Sequence, residues 1–381
     1  MIYLDYNATT PIDDRVAKAI EPYLYKVFGN PSSSHEFGNI AKEAVENARE
    51  KVALLLKADK EEIVFTSGGS ESNNAVIKGI AFTLRDKGNH IITSQIEHPA
   101  VLKPCEFLEK LGYEVTYLPV DEYGSVRVSD LKKAITNRTI LVTIMHANNE
   151  TGTIQPIEEI AAVTKKHNIL FHTDASQSVG KVPIDVNKLG VDFLTIAGHK
   201  LYAPKGVGAL YMRKGIEIEP LIHGAAHEQG RRAGTENIAF DVALGEACDL
   251  ARKSFDSDIK EQFVRSHKEI EELTKYLQDR LIESFGDKVK LNGHATRKLP
   301  NTLNISFLGC NSAEIIERLG DVAVSTGSAC HSGLTTISPV LKAMGVSEEK
   351  GHGAIRFSTG RFTTKREIDI VIERIKAVIS N

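Results

Sequence analysis

The chain has 381 residues, 41% of them hydrophobic, and its 47 basic and 50 acidic side chains leave a formal charge of −3. That length and apolar content suit two domains, and with no Lys/Arg run of the kind that tracks a phosphate backbone, no nucleic-acid partner is expected. No stretch approaches the ~18 apolar residues of a membrane span, the opening Met1-Ile2-Tyr3-Leu4-Asp5 lacks a signal-peptide layout, and Cys105, Cys248, Cys310 and Cys330 form no C-x-x-C pair; the expectation is a cytoplasmic protein, off the membrane, without disulfides or a metal site.

Ala44, Val45, Ala48, Val52 and Leu55 recur at helical spacing and predict an amphipathic helix over 42–56. From about residue 40 to 250, β-rich runs alternate with helical patterns. The runs fall at 62–66, 90–94, 114–118, 140–145, 169–173, 193–197 and 207–212. This is the signature of βαβ units and a mostly parallel sheet. After about Asp256 the pattern changes to a long charged helix over 260–285, strands near 303–307 and 353–358, and a closing helix over 365–379. The expected organisation is α/β, with a large domain over 12–256 and a smaller α+β domain made from 1–11 and 257–381. There is no internal repeat and no low-complexity segment.

Neither G-x-x-x-x-G-K-[ST] nor G-x-G-x-x-G occurs. Ser67-Gly68-Gly69-Ser70-Glu71-Ser72-Asn73-Asn74 nevertheless joins a strand to a helix. Its N–H groups and the Ser70 hydroxyl suit a phosphate, and equally a tight turn with a helix cap. Phe171-His172-Thr173-Asp174-Ala175-Ser176-Gln177 delivers a carboxylate and an amide to a strand end, where parallel sheets bind ligands; Asp174 also suits a cap. A third strand, Thr195-Ile196-Ala197-Gly198-His199-Lys200, ends in a lysine. A lysine to carry it covalently, an acid for its ring nitrogen and donors for its phosphate are what pyridoxal 5′-phosphate requires. Lys200, Asp174 and the Ser67 loop each meet one requirement.

His98, just past a strand, suits stacking on the cofactor ring and proton movement, or a buried structural role. Asn149, in Asn148-Asn149-Glu150-Thr151-Gly152, suits a donor to the cofactor's 3′-oxygen or to substrate, and the segment is also good turn chemistry. Arg356 lies in an apolar strand pattern, as a clamp on a substrate carboxylate or half of a buried ion pair. Ser325-Thr326-Gly327-Ser328-Ala329-Cys330-His331-Ser332-Gly333 sets a thiol among loop-forming residues, beside a histidine able to lower its pKa. Most lone cysteines are inert core residues.

Taken in order, the markers resemble the cysteine desulfurases of the class-V aminotransferase superfamily along nearly the whole chain. They are Leu4-Asp5-Tyr6-Asn7-Ala8-Thr9-Thr10-Pro11, Gly29-Asn30-Pro31-Ser32-Ser33, the Ser67 loop, Glu97-His98, Asn148-Asn149-Glu150, Asp174 with Gln177, Gly198-His199-Lys200, Arg232-Ala233-Gly234-Thr235-Glu236-Asn237 and Gly327-Ser328-Ala329-Cys330. The resemblance implies a type I pyridoxal-phosphate-dependent transferase fold and a homodimer. It implies that Gly69, Ser70 and His199 bind the cofactor phosphate, that Thr235 reaches the phosphate of the other subunit, and that Gln177 contacts the 3′-oxygen. It also implies that Cys330, on a loop of the smaller domain, takes sulfur from L-cysteine as a persulfide, leaving alanine, and passes it to an acceptor protein for iron–sulfur cluster or other biosynthesis. Two departures stand out. Ala197 occupies a position where many members carry a phosphate-binding Ser, and Cys330-His331-Ser332 with Ser338-Pro339-Val340-Leu341 is closer to the selenocysteine lyases. L-Selenocysteine is therefore the alternative substrate; a transaminase and a non-catalytic sulfur carrier or scaffold are the more distant readings.

Overall fold

The structure, a computed structural model, describes residues 1–255, 265–326 and 337–379. Its strands in chain order are β1 (Ile2–Tyr3), β2 (Ile63–Thr66), β3 (His90–Ser94), β4 (Glu114–Leu118), β5 (Thr139–Thr143), β6 (Leu170–Asp174), β7 (Phe193–Ala197), β8 (Gly208–Met212), β9 (Val289–Asn292), β10 (Thr302–Phe307), β11 (Val322–Ala323) and β12 (Ala354–Ser358). Seven of them make the main sheet in the order β2-β8-β7-β6-β5-β3-β4. Only β8 runs against its neighbours, so the sheet is mostly parallel, as the βαβ pattern predicts.

The strands are apolar on both faces because both faces are covered. Ile63 and Phe65 of β2 pack into one buried cluster with Val52 and Leu56, while Val64 between them packs into another with Val76 and Ile80. The same alternation holds at Ile92 against Ile91 in β3 and at Leu194 against Phe193 in β7. The covering helices include α1 (Asp14–Tyr25), α2 (Glu36–Leu56), α3 (Gly69–Thr83) and α4 (Pro99–Glu109). A third cluster lies around the antiparallel sheet β12-β10-β9, where Leu303, Ile305, Ile355 and Phe357 meet Leu277, Leu281, Val371 and Ile375 from two helices. The first of those helices is His267–Phe285, shorter than the 260–285 expected: the Ser266 hydroxyl and Glu269 carboxylate form a capping box that starts it. The closing helix, Lys365–Ile379, has the expected bounds. No helix among the described residues is long and apolar enough to cross a membrane.

Candidate active site

Strands β2, β3, β5, β6 and β7 point their carboxyl ends at one cleft of about 510 Å³. Gly69, Ser70, His98, Asn149, Asp174, Gln177, His199, Lys200 and Arg356 all line it. Open parallel sheets bind ligands at this edge because the loops leaving it carry exposed donors and helix N-termini.

Asp174 is the last residue of β6 and is buried. Its Oδ2 accepts from Asn73 Nδ2 at 2.7 Å and its Oδ1 from the Ser176 backbone N–H at 2.9 Å. Both donors are neutral, and among the described residues no ion pair involves this carboxylate. Gly68 has φ 142°, a conformation that favours glycine, and caps α3. A Cβ at Gly69 would lie 2.9 Å from Ser176 Oγ and 3.4 Å from Ala197 Cβ, so bare backbone brings the helix start against the cleft floor. The first N–H groups of such a helix have no acceptor within it.

Lys200 closes the short 3₁₀ turn that follows β7. Its Nζ donates to the carbonyls of Asn7, at 2.5 Å, and Ala8, at 2.7 Å. Burial, reinforced by the Arg356 guanidinium and opposed by Asp5 and Asp174, lowers its pKa to about 8. Beside it, burial and then Lys200 lower His199 to about 4, and His199 Nδ1 lies 3.2 Å from Thr9 Oγ1. His98 is exposed to the cleft rather than buried in the core, and its Nδ1 caps α4 by accepting from Ala100 N–H at 3.1 Å. Desolvation is the main cause that lowers its pKa, with Asp174 opposing and Lys200 reinforcing.

Arg356, in β12, donates from Nη2 to Asp5 Oδ1 at 2.6 Å and from Nη1 to the Asn149 carbonyl at 2.9 Å, so a buried ion pair is present. Among the described residues its buried Nε has no hydrogen-bond partner, which leaves donor capacity on the same group that lines the cleft. Gln177 donates from Nε2 to the Asn7 carbonyl at 2.9 Å. Thr235 is exposed and is not among the residues lining this cleft. Cys330 and His331 lie outside the described residues; Ser325, earlier on the same segment, lines the cleft and bridges to Arg356. The Cys105 and Cys248 thiols are buried and pushed up to about 12, and Cys310 is absent from the cleft lining.

The residues missed from sequence are Asn7 and Asn73. Asn73 stands four residues after Gly69, on the same helical face, and that spacing could have found it. Asn7 reaches the cleft only through tertiary packing, between Lys200, Gln177, Asn149 and Thr302.

The family model for Aminotransferase class-V matches residues 2–371. A curated relative, Cysteine desulfurase IscS of Dictyoglomus turgidum, is 51% identical over 383 aligned positions, covering 99% of this chain and 94% of its own. Among solved structures, a NifS-like protein superposes with a TM-score of 0.90 at 36% identity, covering 100% of this chain and 99% of its own. A structure described as SspA in complex with cysteine gives 0.83 at 38%, covering 96% and 100%. The chain belongs to the class-V aminotransferase family, among its NifS/IscS-like cysteine desulfurases.

Proposed function

We propose that this protein is a pyridoxal 5′-phosphate-dependent cysteine desulfurase that converts L-cysteine to L-alanine and holds the sulfur on Cys330 for an acceptor protein in the cytoplasm. The observation that carries this reading is the convergence of Lys200, Asp174 and the start of α3 in one cleft. The donor set fits the cofactor. An amine with a pKa of about 8 is partly neutral near pH 7.5 and able to take an aldehyde. A buried carboxylate held only by neutral donors suits a pyridinium nitrogen, and the open helix start at Gly69 and Ser70, with His199, suits a phosphate.

When bound, pyridoxal 5′-phosphate supplies an electron sink that labilises the bonds around the substrate's Cα. Asp174 keeps the proton on the ring nitrogen, and Asn73 and Ser176 hold its carboxylate in place for this. Lys200 carries the cofactor and, with His98, moves protons at the substrate. Arg356 offers its guanidinium to the substrate carboxylate, and Asn149 and Gln177, in the same cleft, offer polar groups to substrate and cofactor. The Cys330 thiolate attacks the substrate sulfur: an S–S bond forms, the Cβ–S bond breaks, and its electron pair stays on carbon to be protonated as alanine.

A homodimer completes the reading. Exposed Leu24, Tyr25, Phe28, Phe37 and Ile40 give an apolar surface for a second copy, and Thr235 is exposed outside its own cleft. Two buried clusters within 12–256 and a third within 1–11 and 257–381 support a division into a large domain and a smaller one, which meet where Ile96 and Met145 pack with Val340 and Leu341. The test is Cys330→Ala: it is expected to bind the cofactor and develop its visible colour yet form no persulfide. Sulfide release at the parent rate from that variant overturns the role of Cys330.

A further inference from the structure

Lys181 is half-buried just beyond the β6 loop and is not needed by any step above. Its Nζ lies 2.8 Å from Gln177 Oε1 and 3.0 Å from Asn7 Oδ1. An amine keeps at least two hydrogens whether charged or neutral, and here both are committed to amide oxygens. This matters because the two ends of an amide have nearly the same shape and differ only in donating or accepting.

With Oε1 held by Lys181, the Gln177 amide must turn Nε2 the other way, and that nitrogen donates to the Asn7 carbonyl at 2.9 Å. The same carbonyl accepts from Lys200 Nζ at 2.5 Å. Asn7 has further locks, since Asn301 Nδ2 donates to its Oδ1 at 3.0 Å and its own Nδ2 donates to Thr302 Oγ1 at 2.8 Å. For Gln177 Oε1, Lys181 is the donor found among the described residues.

We propose that Lys181 is a positioning residue: its amine, fixed between Gln177 Oε1 and Asn7 Oδ1, keeps the NH₂ end of Gln177 turned toward Lys200 and available to the cofactor's 3′-oxygen. The inference rests on the cofactor reading above and adds to it the group that orients Gln177. The surroundings suit a donor that does not need its charge. Burial, then Lys200 and Arg356, hold the Lys181 pKa well below the usual lysine range. Lys181 also lines a cavity of about 20 Å³ behind Lys200, with Arg265, His267, Arg361, Tyr6 and Tyr202, and no acid is among the described residues lining it. The His267 ring bonds the Lys181 backbone carbonyl, which ties the main chain at this position to helix His267–Phe285.

The experiment adds pyridoxal 5′-phosphate to the cofactor-free parent, Lys181→Met and Lys181→Arg, and reads the dissociation constant and the pH midpoint of the visible band. A donor to the 3′-oxygen favours the form with more negative charge there, the deprotonated one, so losing it raises the midpoint. Lys181→Met is expected to raise the midpoint by about one unit and weaken binding about tenfold. Lys181→Arg, which keeps the donors, is expected to stay near the parent. In a Gln177→Ala background, Lys181→Met is expected to add nothing further, the non-additivity of two groups acting through one contact. Should Lys181→Met not fold, Lys181→Ala, which also lacks a donor, replaces it with the same expected direction. Parent-like values in the folded variant, or an equal shift in the Gln177→Ala background, overturn the inference. A parent that develops no visible band overturns the cofactor reading itself, a distinct result.

Discussion

Replacing Arg356 with Gln should raise the pKa of Lys200, and the structure gives the size. Lys200 is held at about 8 by burial and by the Arg356 charge, while Asp5 and Asp174 pull the other way. At an effective dielectric of about 20, two unit charges lining one cleft interact by on the order of 2 kcal/mol. Asp5, 2.6 Å from the guanidinium, stays in place in the variant, so what is lost is the Arg356 repulsion alone, and its loss favours the ammonium. A net change of about 1.5–2 kcal/mol corresponds to a rise of roughly 1–1.5 units. At pH 7.5 the neutral fraction of the amine then falls from about one quarter to about 1–3%. The assay mixes cofactor-free protein with pyridoxal 5′-phosphate at pH 6–10 and follows the initial rise of the visible band, whose rate tracks the neutral amine. The pH midpoint is expected to move up by about a unit, with capture at pH 7.5 slowed about tenfold or more. A midpoint that stays put or moves down refutes the electrostatic account of Lys200.

Three further outcomes follow from buried charges. His199, held at about 4 in the cofactor-free protein, should titrate at least one unit higher once a phosphate dianion is bound beside it, as NMR of its ring would show. Glu97 is raised to about 8 by burial, so the folded state binds a proton that the unfolded chain releases near pH 4.5; stability should fall as pH rises from 4.5 to 8. Glu97→Gln should flatten that slope, so that its stability relative to the parent rises by about 2–4 kcal/mol between pH 5 and pH 8.5 in urea unfolding; any cost of altered hydrogen bonds to Ser94 and Met145 that is the same at both pH values cancels in that difference. Glu228→Ala should cost about 3–5 kcal/mol in the same assay, because it strands the Arg49 guanidinium that Glu228 holds at 2.7 Å with both side chains buried.

The main sheet was legible because each strand is a short apolar, β-branched run, closed by polar or glycine-containing segments; β3, β4 and β7 have the bounds the sequence suggests. The start of α2 was not. The apolar spacing begins to read clearly at residue 42, but the helix starts at Glu36 because His35 Nδ1 accepts from the Gly38 N–H, an uncommon cap. Lys200, Asp174 and the Ser67 loop could be found because each sits at a strand end, a position that sequence pattern marks. The Asp5–Arg356 pair and the placement of Asn7 could not, since they join residues about 350 and 190 positions apart through packing alone. Arg356 illustrates the limit well: its strand was readable, whereas the partner of its guanidinium was not.

The most direct test of the account is mass spectrometry of the Cys330 peptide after brief exposure of the cofactor-loaded protein to L-cysteine, with alanine quantified in the same sample. The account predicts one added sulfur, about 32 Da by the atomic mass of sulfur, on Cys330 and one alanine per persulfide formed. Alanine accumulating while Cys330 stays unmodified, or a persulfide on Cys105, Cys248 or Cys310 instead, would contradict it.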